Sequence, residues 1–295
     1  MKKRLIFKGA ATALITPFKG GKIDYSSLSR LIERQIAGGI SAIVIGGTTG
    51  EAATLDANER YELFGAAKEM IGGRCKLVLG TGTNDTKTAI SHAKAAYACG
   101  CDGILVVTPY YNKGTVRGVT RHYLEIAESV NLPIIVYNVP TRTGVNLTIP
   151  QLEELSGHEN IVGIKEASDS LERLSRLSLF GDELYLYSGA DQAICQTLAV
   201  GAMGLISVIS NLYPCKTVEL CQRFFKGDWQ GAFAIQRALV KISDALFIET
   251  NPAPVKYILS RMALCNGELR LPLCEVTKES AAILDKLSDE LSDYN

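Results

Sequence analysis

The stretch IVGIKEASD, Ile161 to Asp169, frames the reading of the whole chain. Four of its first five residues are uncharged, and the run fits a strand buried on both faces. Lys165 is attached directly to that apolar run. A lysine at a strand end ordinarily snorkels into water along its own methylenes. Held short of water it behaves differently: desolvation disfavours the ammonium form, the pKa falls, and the neutral amine becomes a nucleophile. The surroundings decide between the two.

Working outward, the same kind of run recurs. ATALI (Ala11 to Ile15), AIVI (Ala42 to Ile45), KLVLG (Lys76 to Gly80) and GILVV (Gly103 to Val107) precede it, followed by PIIVYN (Pro133 to Asn138). LYLYS (Leu184 to Ser188) and MGLIS (Met203 to Ser207) come after it, making eight candidate strands. The intervals leave room for one crossover helix each, as parallel strands require. SSLSRLIERQIAGG shows helical spacing, with Ser26 and Ser27 as candidate caps and Gly38-Gly39 as a stop. TKTAISHAKAAYACG repeats the scheme, with Thr86 as a candidate cap and Gly100 beyond its end.

Eight such units predict the α/β class and a closed (β/α)₈ TIM barrel. An open doubly wound sheet is the alternative, but no G-x-G-x-x-G follows the first strand. From about Leu220 the spacing is helical throughout, with NPAPVKYIL introducing one helix. The expected organisation is a catalytic barrel over 1–225 and a C-terminal helical region over 226–295.

Composition narrows the partners. The chain has 295 residues, 47% hydrophobic and 21% charged, which suits a soluble globular protein with a large core. Lys plus Arg and Asp plus Glu both number 31, so no basic balance invites nucleic acid, and a small molecule is the expected partner. The opening MKKRLIFKGAATALITPF mimics a signal peptide, but Lys8 and Gly9 break its apolar stretch, and no run approaches a membrane span. Eight scattered cysteines form no C-x-x-C, and His92, His122 and His158 stand alone. The reading is a cytoplasmic protein with no metal and no cofactor.

In a barrel, chemistry collects at the carboxyl ends of the strands and in the loops after them. Lys165 lies there, and so do four other unusual stretches. GGTTGEAATL (Gly46 to Leu55) can turn backbone N–H groups and hydroxyls toward an anion, though a plain Gly-rich turn reads the same way. YNVPTRTG (Tyr137 to Gly144) offers a phenol for proton transfer and, in Arg142, a fork for a carboxylate. TPYYNKG (Thr108 to Gly114) and the SGAD turn complete the set. Their dull alternatives are a core tyrosine, a surface arginine and ordinary loops. Convergence on one lysine points to carbonyl chemistry: the amine condenses with a ketone, and the iminium acidifies the adjacent carbon. A 2-oxo acid such as pyruvate is the smallest substrate that fits.

These motifs resemble the dihydrodipicolinate synthase family, pyruvate-dependent class I aldolases that include N-acetylneuraminate lyase. The resemblance rests on GTTGE at Gly47 to Glu51, YNVPTRTG, GIKEAS at Gly163 to Ser168 and NPAPVK at Asn251 to Lys256. It implies Lys165 as the Schiff-base lysine and Tyr137 as proton donor and acceptor, in relay with Thr48 and Tyr111. It implies that Tyr111 reaches into a neighbouring subunit of a homotetramer built as two dimers. Thr49 would bind the pyruvate carboxylate, flanked by Gly189 and Ile206. Arg142, uncharged in the sugar-acid lyases, would receive the carboxylate of L-aspartate 4-semialdehyde. The implied product is 4-hydroxy-tetrahydrodipicolinate, at the entry to diaminopimelate and lysine.

Two departures stand out. Many relatives have glycine where Asp169 follows KEAS. Lysine-inhibited relatives carry histidines where this chain has Ala57 and Arg60, and glutamate where it has Thr88, although Asn84 and Tyr110 remain. Weak or absent inhibition by lysine is the expectation. A sugar-acid lyase, and a barrel that binds without catalysing, are the competing functions.

Overall fold

The structure, a computed structural model, describes residues 2–168 and 170–291, so the Asp169 departure lies outside the described residues. Eight strands form its centre: Gly9–Ala13 (β1), Ala42–Ile45 (β2), Lys76–Gly80 (β3), Gly103–Val107 (β4), Ile134–Asn138 (β5), Ile161–Glu166 (β6), Tyr185–Ser188 (β7) and Gly204–Ser207 (β8). They close into one barrel in sequence order, every pair parallel, with β8 returning to β1. The helices that follow the strands are Tyr25–Ala37 (α1), Ala57–Ile71 (α2), Thr86–Cys99 (α3), Val116–Ser129 (α4), Ile149–Ser156 (α5), Leu171–Leu177 (α6), Ile194–Ala199 (α7) and Pro214–Phe225 (α8). This is the (β/α)₈ barrel that the spacing predicts. Among the described residues three further helices follow, Trp229–Ala245 (α9), Ala253–Arg261 (α10) and Lys278–Glu290 (α11), with α9 packed on α8.

Strand alternation sorts the core into two layers. Ile43, Leu79, Ile104, Val106, Ile134, Val136 and Ile164 face outward and pack against Leu28, Leu31, Leu63 and Phe64 of the helices. Ala11, Ala13, Ala42, Val44, Val78, Leu105, Ile135, Tyr137, Tyr185, Tyr187 and Ile206 fill the interior.

The two layers meet an irregularity beside Lys165. Ile134 of β5 pairs with Ile161, yet Ile135 pairs with Gly163, so Val162 has no partner across the ladder. Continuous alternation from outward-facing Ile161 would put Ile164 inside and Lys165 outside. The skipped residue inverts the phase: Ile164 joins the outer layer, and Lys165 comes into register with inward-facing Tyr137. A one-residue bulge thus aims the amine into the barrel.

Some local expectations shift. β1 spans Gly9–Ala13 rather than Ala11 to Ile15, because the Ile15 N–H leaves the sheet and donates to Asn211 Oδ1 at 3.2 Å. The cap of α1 is Asp24, not Ser26 or Ser27, its Oδ1 accepting the Ser27 N–H at 3.1 Å. Asp85 takes the place of Thr86 at α3, accepting the Thr88 N–H at 2.8 Å. A carboxylate stood just upstream in both cases, and it is as strong a cap as a hydroxyl. A small hairpin, Phe18–Lys19 with Lys22–Ile23, adds to the elements the spacing predicts.

The barrel closes tightly at one seam. A Cβ on Gly204 would lie 1.9 Å from the Gly9 carbonyl oxygen, against backbone that both strands hold in place. Gly204→Ala should cost about 1–3 kcal/mol through overpacking, lowering the melting temperature by roughly 3–10 °C. Gly65→Ala on α2, with nothing within 4 Å of the new methyl, should be neutral or stabilising in the same scan.

Candidate active site

Lys165 forms the floor of a cavity of about 590 Å³ at the carboxyl end of the barrel. Its side chain is buried, with Nζ 4.3 Å from the centroid of the Tyr137 ring on the neighbouring strand. Desolvation pulls its pKa from 10.5 down to about 8, although the Asp191 carboxylate opposes the shift. A fraction of the amine is therefore neutral near pH 7. Burial pushes the Tyr137 phenol the other way, up to about 12, so it stays protonated and able to donate. Gly189 permits close approach from β7, since a Cβ there would lie 3.1 Å from Lys165 Cε.

The loop after β2 brings Thr48 and Thr49 to the same cavity. Thr49 Oγ1 accepts a hydrogen bond from Asn251 Nδ2 at 3.0 Å, which ties this loop to the segment before α10. Arg142 sits at the mouth in a short helical turn after β5, exposed, with one guanidinium N–H donating to the Asn251 carbonyl at 3.3 Å. Its fork is thus placed where a ligand enters, while Lys165 waits at the bottom.

Two of the expected residues lie elsewhere. Tyr111 is 89% exposed, with φ 72°, and does not line the cavity. Ile206 is buried in the barrel interior, and Val208 is the residue that reaches the cavity wall after β8. Thr48, Tyr137 and Arg142 also face an adjoining space of about 420 Å³, lined further on by Arg60, Thr83 and Tyr110. Buried Arg60 donates there to the carbonyls of Ala52 (2.6 Å) and Gly80 (3.2 Å).

Sequence reading missed several supporting groups. Glu166, next to the lysine, points outward, where Asn138, Arg173 and the Ser168 N–H surround its carboxylate. That charge anchors the strand end without facing the cavity. Asp191 is fully buried, and its Oδ2 accepts the N–H groups of Val208 and Ile209, both at 2.8 Å, fixing the turn after β8. Asn251 was visible only as part of a proline motif. Among the described residues no group of three or more His, Cys, Asp or Glu is arranged to hold a metal ion.

A closed (β/α)₈ barrel with a desolvated amine and a protonated phenol at its carboxyl end has the architecture of an aldolase-type lyase. The chain belongs to the dihydrodipicolinate synthetase family, whose family model matches residues 6–291. It is 43% identical over 290 residues to the 4-hydroxy-tetrahydrodipicolinate synthase of Geobacter metallireducens, covering 98% of this chain and 99% of that one. The Clostridium novyi enzyme of the same name is 40% identical over 291 residues, covering 98% and 97%. Among solved structures, dihydrodipicolinate synthase from Thermotoga maritima superposes with a TM-score of 0.95 at 38% identity, covering 99% and 100% of the two chains.

The Lys165 environment can be measured directly. After reductive ¹³C-methylation, one resonance, absent from Lys165→Ala, should titrate with a midpoint of about 8. The ammonium form dominates below that pH and the neutral amine above it. Exposed lysines should titrate at about 10.4, and a Lys165 signal moving with them would refute the desolvated amine.

Proposed function

We infer that the chain condenses pyruvate with L-aspartate 4-semialdehyde to give 4-hydroxy-tetrahydrodipicolinate, at the entry to diaminopimelate and lysine. The inference draws on the relatives named for that activity. The observation that carries it is one cavity with two cations at different depths, desolvated Lys165 at the floor and Arg142 at the mouth.

The chemistry follows from that arrangement. Neutral Lys165 Nζ adds to C2 of pyruvate, the carbinolamine hydroxyl takes a proton relayed by the Tyr137 phenol and leaves as water, and an iminium remains. The pyruvate carboxylate rests on the Thr48–Thr49 loop. The iminium draws electrons from the methyl carbon, whose proton departs through the Tyr137 phenol and the Thr48 hydroxyl, leaving an enamine. The enamine carbon attacks the aldehyde of the semialdehyde, held by its carboxylate on Arg142. The semialdehyde's own amine then attacks C2, closing the ring and freeing Lys165. Gly189 shapes the pyruvate pocket at the end of β7, and Ile206 backs it from within the barrel on β8.

The assembly we propose is a homotetramer built as two dimers. A tyrosine held out 89% exposed in left-handed backbone is poorly explained within one chain, and Tyr111 reaching a partner's site explains it. The fold does not depend on such assembly elsewhere, because a dihydrodipicolinate synthase variant described as monomeric superposes with a TM-score of 0.95 at 38% identity. The barrel over 1–225 and the helical region over 226–295 act as one catalytic unit, since Phe247 to Asn251 line the cavity. A reducing cytoplasm suits the eight free cysteines, and no helix among the described residues is long and apolar enough to cross a membrane.

Borohydride trapping with pyruvate, read by peptide mass, should place a pyruvate-derived adduct on Lys165 and none on Lys165→Ala. A folded protein without the adduct overturns the mechanism. Arg142→Ala should raise KM for the semialdehyde about 10- to 100-fold, the range expected for lost charge-assisted hydrogen bonds, and leave KM for pyruvate near wild type. An unchanged semialdehyde KM would favour the sugar-acid lyase reading. Lysine should inhibit weakly or not at all, because the cation of Arg60 and the neutral Thr88 offer its ammonium no partner. Strong inhibition at micromolar lysine would contradict this.

A further inference from the structure

Glu51 and Lys256 form an ion pair far from solvent, with side chains 0% and 1% exposed. The pair closes the Gly47–Glu51 loop against α10, across 205 residues of sequence. Neither charge reaches a ligand in the geometry described above, so the catalytic steps leave the pair without a task. Its surroundings are fully built. The Lys256 ammonium also donates to the Glu268 carbonyl at 2.8 Å and lies 4.3 Å from the centroid of the Phe18 ring. The second oxygen of Glu51 accepts the Arg270 N–H at 3.0 Å, and the Arg270 side chain donates to the Thr54 carbonyl at 2.8 Å while pairing with Glu59.

The backbone explains why such an anchor is needed. Glu51 stands at φ 51°, a left-handed conformation that a residue with a side chain enters only when its neighbours hold it there. Its N–H donates to the Thr48 carbonyl at 3.0 Å, so the turn at Glu51 sets the path of the threonines. From the other side, the Thr16 hydroxyl donates to the Gly50 carbonyl at 2.7 Å. The segment that supplies Lys256 also supplies Asn251, whose side chain holds Thr49 and whose carbonyl accepts from Arg142.

We propose that Glu51 and Lys256 are positioning residues for the keto-acid carboxylate: their buried pair locks the Thr48–Thr49 loop onto the helical region. This rests on the assignment of that loop to pyruvate. A buried pair suits the task because its strength depends on geometry, so it tolerates little displacement of either end. A role confined to folding would lower stability and leave the surviving sites with ordinary affinity. A positioning role weakens pyruvate binding in sites that are otherwise intact.

The test uses Glu51→Gln, Lys256→Met and the double variant in the full chain, each with its melting temperature. Sites are counted by borohydride trapping on Lys165 at saturating pyruvate. KM for pyruvate should rise about tenfold in each single variant, with kcat per trapped site changed less than threefold. The double variant should match the singles rather than multiply them, because one interaction has been removed. Lys256→Met leaves a lone buried carboxylate and is the most prone to misfold, whereas the double variant carries no unpaired charge. Pyruvate KM within twofold of wild type in a folded variant overturns the proposal, as does loss of fold in all three. No trapping in the wild-type protein would instead overturn the pyruvate assignment, which separates the two failures.

Discussion

Lys165 owes its place to a residue that pairs with nothing. The phase of a strand admits two answers, inward or outward, and an error of one residue exchanges them for every side chain beyond it. Val162 introduces that single step between Ile161 and Gly163. Upstream, β6 shows Ile161 to the helices; downstream, it shows Lys165 to the interior beside Tyr137. The presence of an amine in the cavity depends on this inversion. An amine on the outer layer would lie among aliphatic side chains with no route to a ligand.

Once inside, the two groups are separated by burial in opposite directions. Removing water costs the ammonium form of Lys165 and the phenolate form of Tyr137, so both lean toward neutrality. A neutral amine beside a neutral phenol is a nucleophile beside an acid. Buried Asp191 limits the shift on Lys165. Arg142 stands exposed at the entrance, its planar fork turned to solvent and tied to the Asn251 carbonyl.

Much of the barrel was legible because its signal is local. β2, β3 and β4 fall where the apolar runs place them, and Gly100 ends α3 as its φ of 71° demands. β1 slipped because hydrophobicity does not reveal which N–H groups have a ladder partner, and the Ile15 N–H donates to a side chain 196 residues away. The loops that carry Thr48, Thr49 and Arg142 were readable from glycine, proline and hydroxyl content. Their long-range supports were not: the Glu51–Lys256 pair and the Asn251–Thr49 bond join segments more than two hundred residues apart. The Val162 bulge left no mark at all, since Ile-Val-Gly-Ile reads the same with or without it. The role of Tyr111 comes from resemblance alone, and within one chain its side chain faces solvent.

That dependence on distant segments bears on how the protein matures during synthesis. All eight barrel strands, and Lys165 with them, are encoded by residue 207. The segment that steadies Thr49 and Arg142 emerges only at Asn251, and Lys256 and Arg270 follow. The strands of the barrel are therefore all made before the Thr48–Thr49 loop has its partners from the helical region. The order of synthesis thus places the long-range supports of the Thr48–Thr49 loop after the barrel that carries it.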